Sequence, residues 1–125
     1  MHSATRFEYG NHQIAPDHVV VYGAEIRSRE DLFRVLAHKF SFPEYFGNNW
    51  DALVDCLSDL SWIDRDTVVL HHIGLPLLDQ GTLTTYLECL LDVLDRRRDT
   101  DRPFLRILFP TQDREQIERV LGAAR

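Results

Sequence analysis

The chain alternates between short apolar runs and longer stretches in which apolar residues recur every three or four positions. The short runs, rich in β-branched residues and closed by glycine, proline or charge, predict strands at 18–23, 67–71 and 104–109. The longer stretches predict helices, which would cover about 28–40, 48–60, 82–98 and 113–124. Ser28, Asn48 and Thr82 are the predicted N-caps.

The order of these elements predicts an α/β fold. About 30 or more residues containing helix separate each strand from the next, so crossover connections and a parallel sheet are expected. The strands are apolar nearly throughout, which is typical of a sheet whose two faces are covered by helices. We expect a single domain over 1–125, with a three-stranded parallel sheet and about four helices.

The charge and the apolar content of the chain argue against several classes of protein. The chain has 14 Lys and Arg against 20 Asp and Glu, a net charge of −6. This charge is poorly suited to nucleic acid, so the expected partner is basic. No apolar run approaches the ~20 residues of a membrane helix. Residues 1–17 hold no apolar block typical of a secretory signal.

The side chains that could carry chemistry form no recognisable cofactor or metal motif. Cys56 and Cys89 lie inside helical patterns, which is typical of buried thiols in a reduced, cytoplasmic protein. His71 and His72 are adjacent on a predicted strand, so they would point to opposite faces and not share a metal. These features indicate a protein that is not an enzyme.

The second predicted helix concentrates the negative charge. Its core stripe consists of four apolar residues, Trp50, Leu53, Leu57 and Leu60. Asp51, Asp55 and Asp59 fall on the opposite side, stacked about 6 Å apart along the axis. The surrounding stretch 44–64 carries five acidic residues and neither Lys nor Arg.

This acidic row is expected to cost stability. Like charges four residues apart destabilise a helix by about 0.2–0.5 kcal/mol per pair, and Asp59 opposes the helix dipole. Asp51 alone has a local role, as an acid in the first turn. A row of carboxylates held at such a cost suggests a basic partner, for which it would imitate a phosphate backbone. A solvated helix face remains the alternative.

Aromatic residues flank the row. Tyr45 and Phe46 precede it and Trp62 follows it, and Tyr and Trp are enriched among interface anchors. Trp62 would project onto the acidic side if the helix continued past Leu60. Core packing is the alternative for Phe46 and Trp62.

The stretch 42–57, with the sequence FPEYFGNNWDALVDCL, resembles the hallmark of barstar-type ribonuclease inhibitors. The stretch 23–28 and the pair Asp31-Leu32 are also similar to that family. The resemblance covers roughly 18–109, with extensions at 1–17 and 111–125. It implies a three-stranded parallel sheet with surrounding helices, as the periodicity does.

The resemblance also implies a function. The protein would be an intracellular inhibitor that inserts the acidic helix and the preceding loop into the active site of a secreted microbial guanyl-type ribonuclease. Asp55 would replace a substrate phosphate, and Asp51 would pair with a flanking Arg or Lys. The full set of candidate docking residues is Tyr45, Phe46, Gly47, Asn49, Trp50, Asp51, Val54, Asp55, Asp59 and Trp62.

Three positions differ from the usual pattern of the family, and they leave the identity of the partner nuclease open. Val54 stands where the family often has Trp, Leu60 replaces another aromatic residue, and Arg96 aligns near an acid of the family. A barstar-fold binding or immunity module for another basic partner or toxin nuclease is the alternative. A further alternative is a small enzyme whose active site is not evident from the sequence.

Overall fold

A parallel sheet of four strands, with the spatial order β1-β4-β3-β2, lies at the centre of the molecule. The computed structural model describes residues 6–123. Its strands are β1 (Glu8–Tyr9), β2 (His18–Tyr22), β3 (Thr67–Ile73) and β4 (Phe104–Phe109). Its helices are α1 (Arg29–Lys39), α2 (Trp50–Asp59), α3 (Gln80–Arg96) and α4 (Arg114–Ala123). The predicted α/β class with a parallel sheet is confirmed.

The expectation of three strands missed β1. This strand has two residues, too few for any periodicity, and it lies in the part of the chain that the prediction treated as an extension. It pairs with β4 in the register Glu8 with Leu108 and Tyr9 with Phe109. An ion pair between Arg106 and Glu8, with Nε and Oε2 2.8 Å apart, joins the same two strands. Long-range pairing therefore defines β1, without a local sequence signal.

The helices cover one face of the sheet, and the expectation that they cover both was wrong. From β2 through β3 to β4 the strands advance in one direction, so successive right-handed crossovers place their helices on the same face. The buried side chains of the helices form one core with alternate strand residues such as Val21, Val68, Leu70, Leu105 and Ile107.

The opposite face is crossed by residues 10–17. These residues connect β1 to β2, the two edges of the sheet, and therefore run in the reverse direction across it. Val69, His71 and Leu108 are buried on this face by strand alternation. His71 lies close to His18, with their Nδ1 atoms 2.9 Å apart. The apolar strands thus correctly indicated that both faces of the sheet are buried. They did not indicate that helices cover both faces.

The N-cap of the third helix lies three residues before the predicted one. Asp79, and not Thr82, is the N-cap of α3, because its Oδ1 accepts a hydrogen bond from the backbone N–H of Thr82 at 2.8 Å. Ser28 caps α1 as predicted, accepting from the N–H of Asp31. Within 6–123, no helix is both long and apolar enough to cross a membrane.

Candidate functional site

The helix α2 begins at a cap that also organises the loop before it. Asn49 accepts a hydrogen bond from the N–H of Ala52 through Oδ1 at 2.8 Å and donates to the carbonyl of Gly47 through Nδ2 at 3.3 Å. Asn48, the predicted cap, instead adopts φ 52°, a left-handed conformation that Asn tolerates well. The cap is therefore shifted by one residue, and Asp51 occupies the second helical position.

The apolar side of α2 follows the predicted stripe. Leu53 and Leu57 are fully buried, and Trp50 is half-buried, with its ring centroid 5.0 Å from that of Phe33. Val54, a candidate docking residue, is only 6% exposed and belongs to the same core. Its side chain therefore packs inward, where it offers little surface to a partner.

The acidic side of α2 is open to solvent. Asp51, Asp55 and Asp59 are all exposed, and the side chain of Asp55 is 71% exposed. The helix ends after Asp59, because Leu60 turns into a left-handed conformation with φ 51° while its side chain stays in the core. The carboxylates thus lie along one face over the whole length of the helix.

Two arginines offset the charge of this row: Arg96 is the last residue of α3, and Arg97 follows it directly. Arg96 lies 3.1 Å from Asp55, measured from Nη1 to Oδ1. Nη1 of Arg97 lies 3.3, 2.7 and 3.4 Å from the carbonyl oxygens of Leu57, Ser58 and Asp59, at the negative end of the helix dipole. The stretch 44–64 itself contains neither Lys nor Arg, so the cations that compensate this row come from a distant part of the chain.

Two half-buried carboxylates of α3 lie near Asp51, at the beginning of the acidic row. Glu88 and Asp92 on α3 and Asp51 on α2 all lie close enough to Cys89 to disfavour its thiolate. Burial is the first cause of this effect and the three carboxylates add to it, so that the pKa of the Cys89 thiol rises to about 12. The sequence prediction missed Glu88 and Asp92, although their spacing of four residues on a helix was the available signal.

The aromatic residues around the row divide into one exposed residue and two packed ones. Tyr45 is 73% exposed in the loop before α2. Phe46 packs on Phe42, with ring centroids 4.9 Å apart. Trp62 donates its indole N–H to the carbonyl of Phe40 at 2.9 Å. Because α2 stops at Asp59, the helical face does not extend to Trp62, and Tyr45 is the most exposed of the three aromatic side chains.

His71 and His72 do not share a site. They lie on opposite faces of β3, where His71 meets His18 and His72 meets Tyr86. Strand alternation predicted this separation.

The comparisons with known proteins agree with the sequence motif. The sequence profile of the family described as Barstar (barnase inhibitor) matches residues 17–108. The chain belongs to the barstar family. A Bacillus subtilis (strain 168) relative bearing the name "Putative ribonuclease inhibitor YrdF" is 29% identical over 92 residues, which cover 73% of this chain and 96% of that protein.

Membership in the barstar family confirms the resemblance read from 42–57. The matched region contains β2, β3, nearly all of β4 and the helices α1, α2 and α3. The strand β1 and the helix α4 lie outside it. The acidic row, its cap and the loop with Tyr45 thus all belong to the part of the chain that the family shares.

Proposed function

We propose that this protein is an intracellular inhibitor of a microbial guanyl-type ribonuclease, and that α2 with the preceding loop blocks the active site of that enzyme. The observation that carries the proposal is the exposed row of Asp51, Asp55 and Asp59, held on a capped helix within the barstar-family region. The name of the relative, a ribonuclease inhibitor, supports the same class of partner.

The row suits a ribonuclease because the enzyme must bind phosphates. Enzymes that cleave RNA hold the substrate backbone with Arg, Lys and His, and carboxylates can take the place of phosphate oxygens in such a site. Asp55, in the middle of the row, is the group proposed to enter among these cations, while Asp51 pairs with a cation at the edge. Tyr45, Gly47 and Asn49 are proposed to contact the rim from the loop.

An immunity role against a toxin nuclease is the second candidate. Glu88 and Asp92 on α3 are half-buried and lie near the same thiol as Asp51, so further carboxylates stand beside α2 for a basic partner. Both candidates place the same face of the protein on a nuclease, and they differ in which nuclease is bound.

The direct test is inhibition of purified nucleases. The protein is titrated against a panel that contains barnase, other guanyl-type microbial ribonucleases and toxin nucleases, with initial rates measured on a dinucleotide or RNA substrate. We expect stoichiometric inhibition of at least one guanyl-type ribonuclease. Inhibition of toxin nucleases alone would favour the immunity role, and no inhibition of any nuclease would contradict both.

Salt dependence of association gives a further prediction. Since an acidic row is expected to steer a basic enzyme, the association rate constant should fall at least about tenfold between 50 mM and 500 mM salt, while dissociation changes less. Stopped-flow fluorescence with the inhibited nuclease measures both rate constants. A flat dependence of the association rate on ionic strength would contradict electrostatic steering.

A further inference from the structure

Arg96 interrupts the acidic surface beside its central carboxylate. It is the last residue of α3, and its Nη1 lies 3.1 Å from Oδ1 of Asp55 on α2. The two side chains are 57% and 71% exposed. Its neighbour Arg97 is half-buried and binds backbone carbonyls at the end of α2. One of these arginines thus caps a helix, and the other stands where the proposed partner would dock.

Stability does not account for the position of Arg96. An ion pair between two exposed side chains contributes little to folding, because solvent screens it and both side chains lose freedom. Arg97 already satisfies the carbonyls at the end of α2 and links that helix to the residues after α3. The main effect of Arg96 is therefore to change the charge pattern of the surface.

A partner that binds Asp55 must also meet Arg96. The guanidinium lies within hydrogen-bond distance of the carboxylate, so a side chain that reaches Asp55 brings its own surface against Arg96 as well. A cation that loses its water without gaining an anion costs free energy. A partner surface made only of cations would therefore bind Asp55 and be repelled by Arg96 at the same time.

The geometry allows Arg96 to remain in place when Asp55 is bound. Arg96 contacts Oδ1 of Asp55, and the carboxylate accepts further hydrogen bonds, including those to Oδ2. The guanidinium has five N–H donors, so it too can take a second partner. A side chain held by an ion pair before binding also loses less freedom on docking.

We propose that Arg96 is a specificity-determining part of the docking surface, and that the nuclease it fits places a carboxylate against Arg96 beside the cation that pairs with Asp55. The charges then alternate across the interface. Such a carboxylate fits an enzyme that cleaves RNA, because Asp and Glu are among the side chains that serve as general acids and bases in catalysis. The proposal rests on the proposed ribonuclease-inhibitor function and specifies the partner more closely.

The first test compares Arg96→Gln with Arg98→Gln. Both substitutions remove one positive charge, and Arg98 is exposed just beyond the end of α3. Dissociation constants are measured against the nuclease of the panel that the wild-type protein inhibits most tightly. We expect Arg96→Gln to weaken binding at least about tenfold and Arg98→Gln to change it less than about threefold. Thermal melting of both variants should match the wild type.

The second test identifies the opposing carboxylate. Each Asp and Glu around the active site of the same nuclease is changed singly to its amide, and double-mutant cycles with Arg96→Gln measure the coupling. One nuclease variant should show coupling of at least about fivefold. Unchanged or tighter binding by Arg96→Gln, or the absence of any coupled carboxylate, would overturn the proposal. A wild-type protein that inhibits no nuclease would instead refute the proposed function itself.

Discussion

Replacing Asp55 with alanine is expected to weaken nuclease binding at least about 100-fold, which corresponds to about 3 kcal/mol. The reason is that the nuclease cations that Asp55 is proposed to meet would be left buried without their anion. The fold should tolerate the change, because Asp55 is exposed and its ion pair with Arg96 contributes at most about 1 kcal/mol. Titration calorimetry or inhibition kinetics gives the dissociation constant.

Asp64→Ala is the matched control for this substitution. Asp64 is exposed in the same acid-rich stretch, but it lies beyond the end of α2. Removing it changes the net charge by the same amount, so we expect an effect of less than about fivefold, mainly on the association rate. Binding by Asp55→Ala that stays within about threefold of the wild type would contradict a central role for Asp55.

The second large effect concerns stability and pH, and it originates at His72. This side chain of β3 is buried beneath α3, with its ring stacked on Phe109 of β4 at a centroid distance of 4.0 Å. Nδ1 lies 3.0 Å from the carbonyl of Leu108 and Nε2 lies 2.7 Å from the hydroxyl of Tyr86. A carbonyl can only accept, so Nδ1 carries the proton and Nε2 accepts from Tyr86.

Burial of this neutral ring lowers the pKa of His72 from 6.5 to about 4. The unfolded chain therefore binds a proton at this position more readily than the folded protein does. Stability from His72 is fully present above pH 6.5 and is lost as the pH falls towards 4. The resulting loss in the free energy of unfolding amounts to about 3 kcal/mol.

Urea denaturation between pH 7.5 and 4 measures this loss. We expect the free energy of unfolding of the wild type to fall steeply below pH 6.5, and that of His72→Gln to fall about 3 kcal/mol less. His38→Gln, at an exposed position on α1, is the control and should keep the wild-type slope. An NMR titration of the folded wild-type protein measures the pKa of His72 independently. Protonation of His72 above pH 5.5 would contradict the prediction.

The local pattern of the sequence predicted the features of α2 that depend on helical spacing. The separation of Leu53 and Leu57 from Asp51 and Asp55 follows from 100° steps, which no distant contact alters. The predicted cap was wrong by one residue, because Asn48 and Asn49 are both of a residue type that caps helices well. Only the left-handed backbone at Asn48 decides between them.

Features that depend on distant pairing could not be predicted in this way. Arg96 and Asp55 are 41 positions apart, and only the packing of α2 on α3 brings them together. The strand β1 is defined by its register with β4 and has no pattern of its own. The prediction for Trp62 depended on the length of α2, which ends because Leu60 adopts a left-handed conformation without a glycine to indicate it.

Competition with a nucleotide shows whether the acidic row takes the place of substrate phosphates. The inhibition constant is measured against the inhibited guanyl-type ribonuclease at increasing concentrations of guanosine 3′-monophosphate, which occupies the active site. We expect the apparent inhibition constant to rise in proportion to the nucleotide concentration once the site is filled. An inhibition constant that stays unchanged as the nucleotide saturates the enzyme would contradict it.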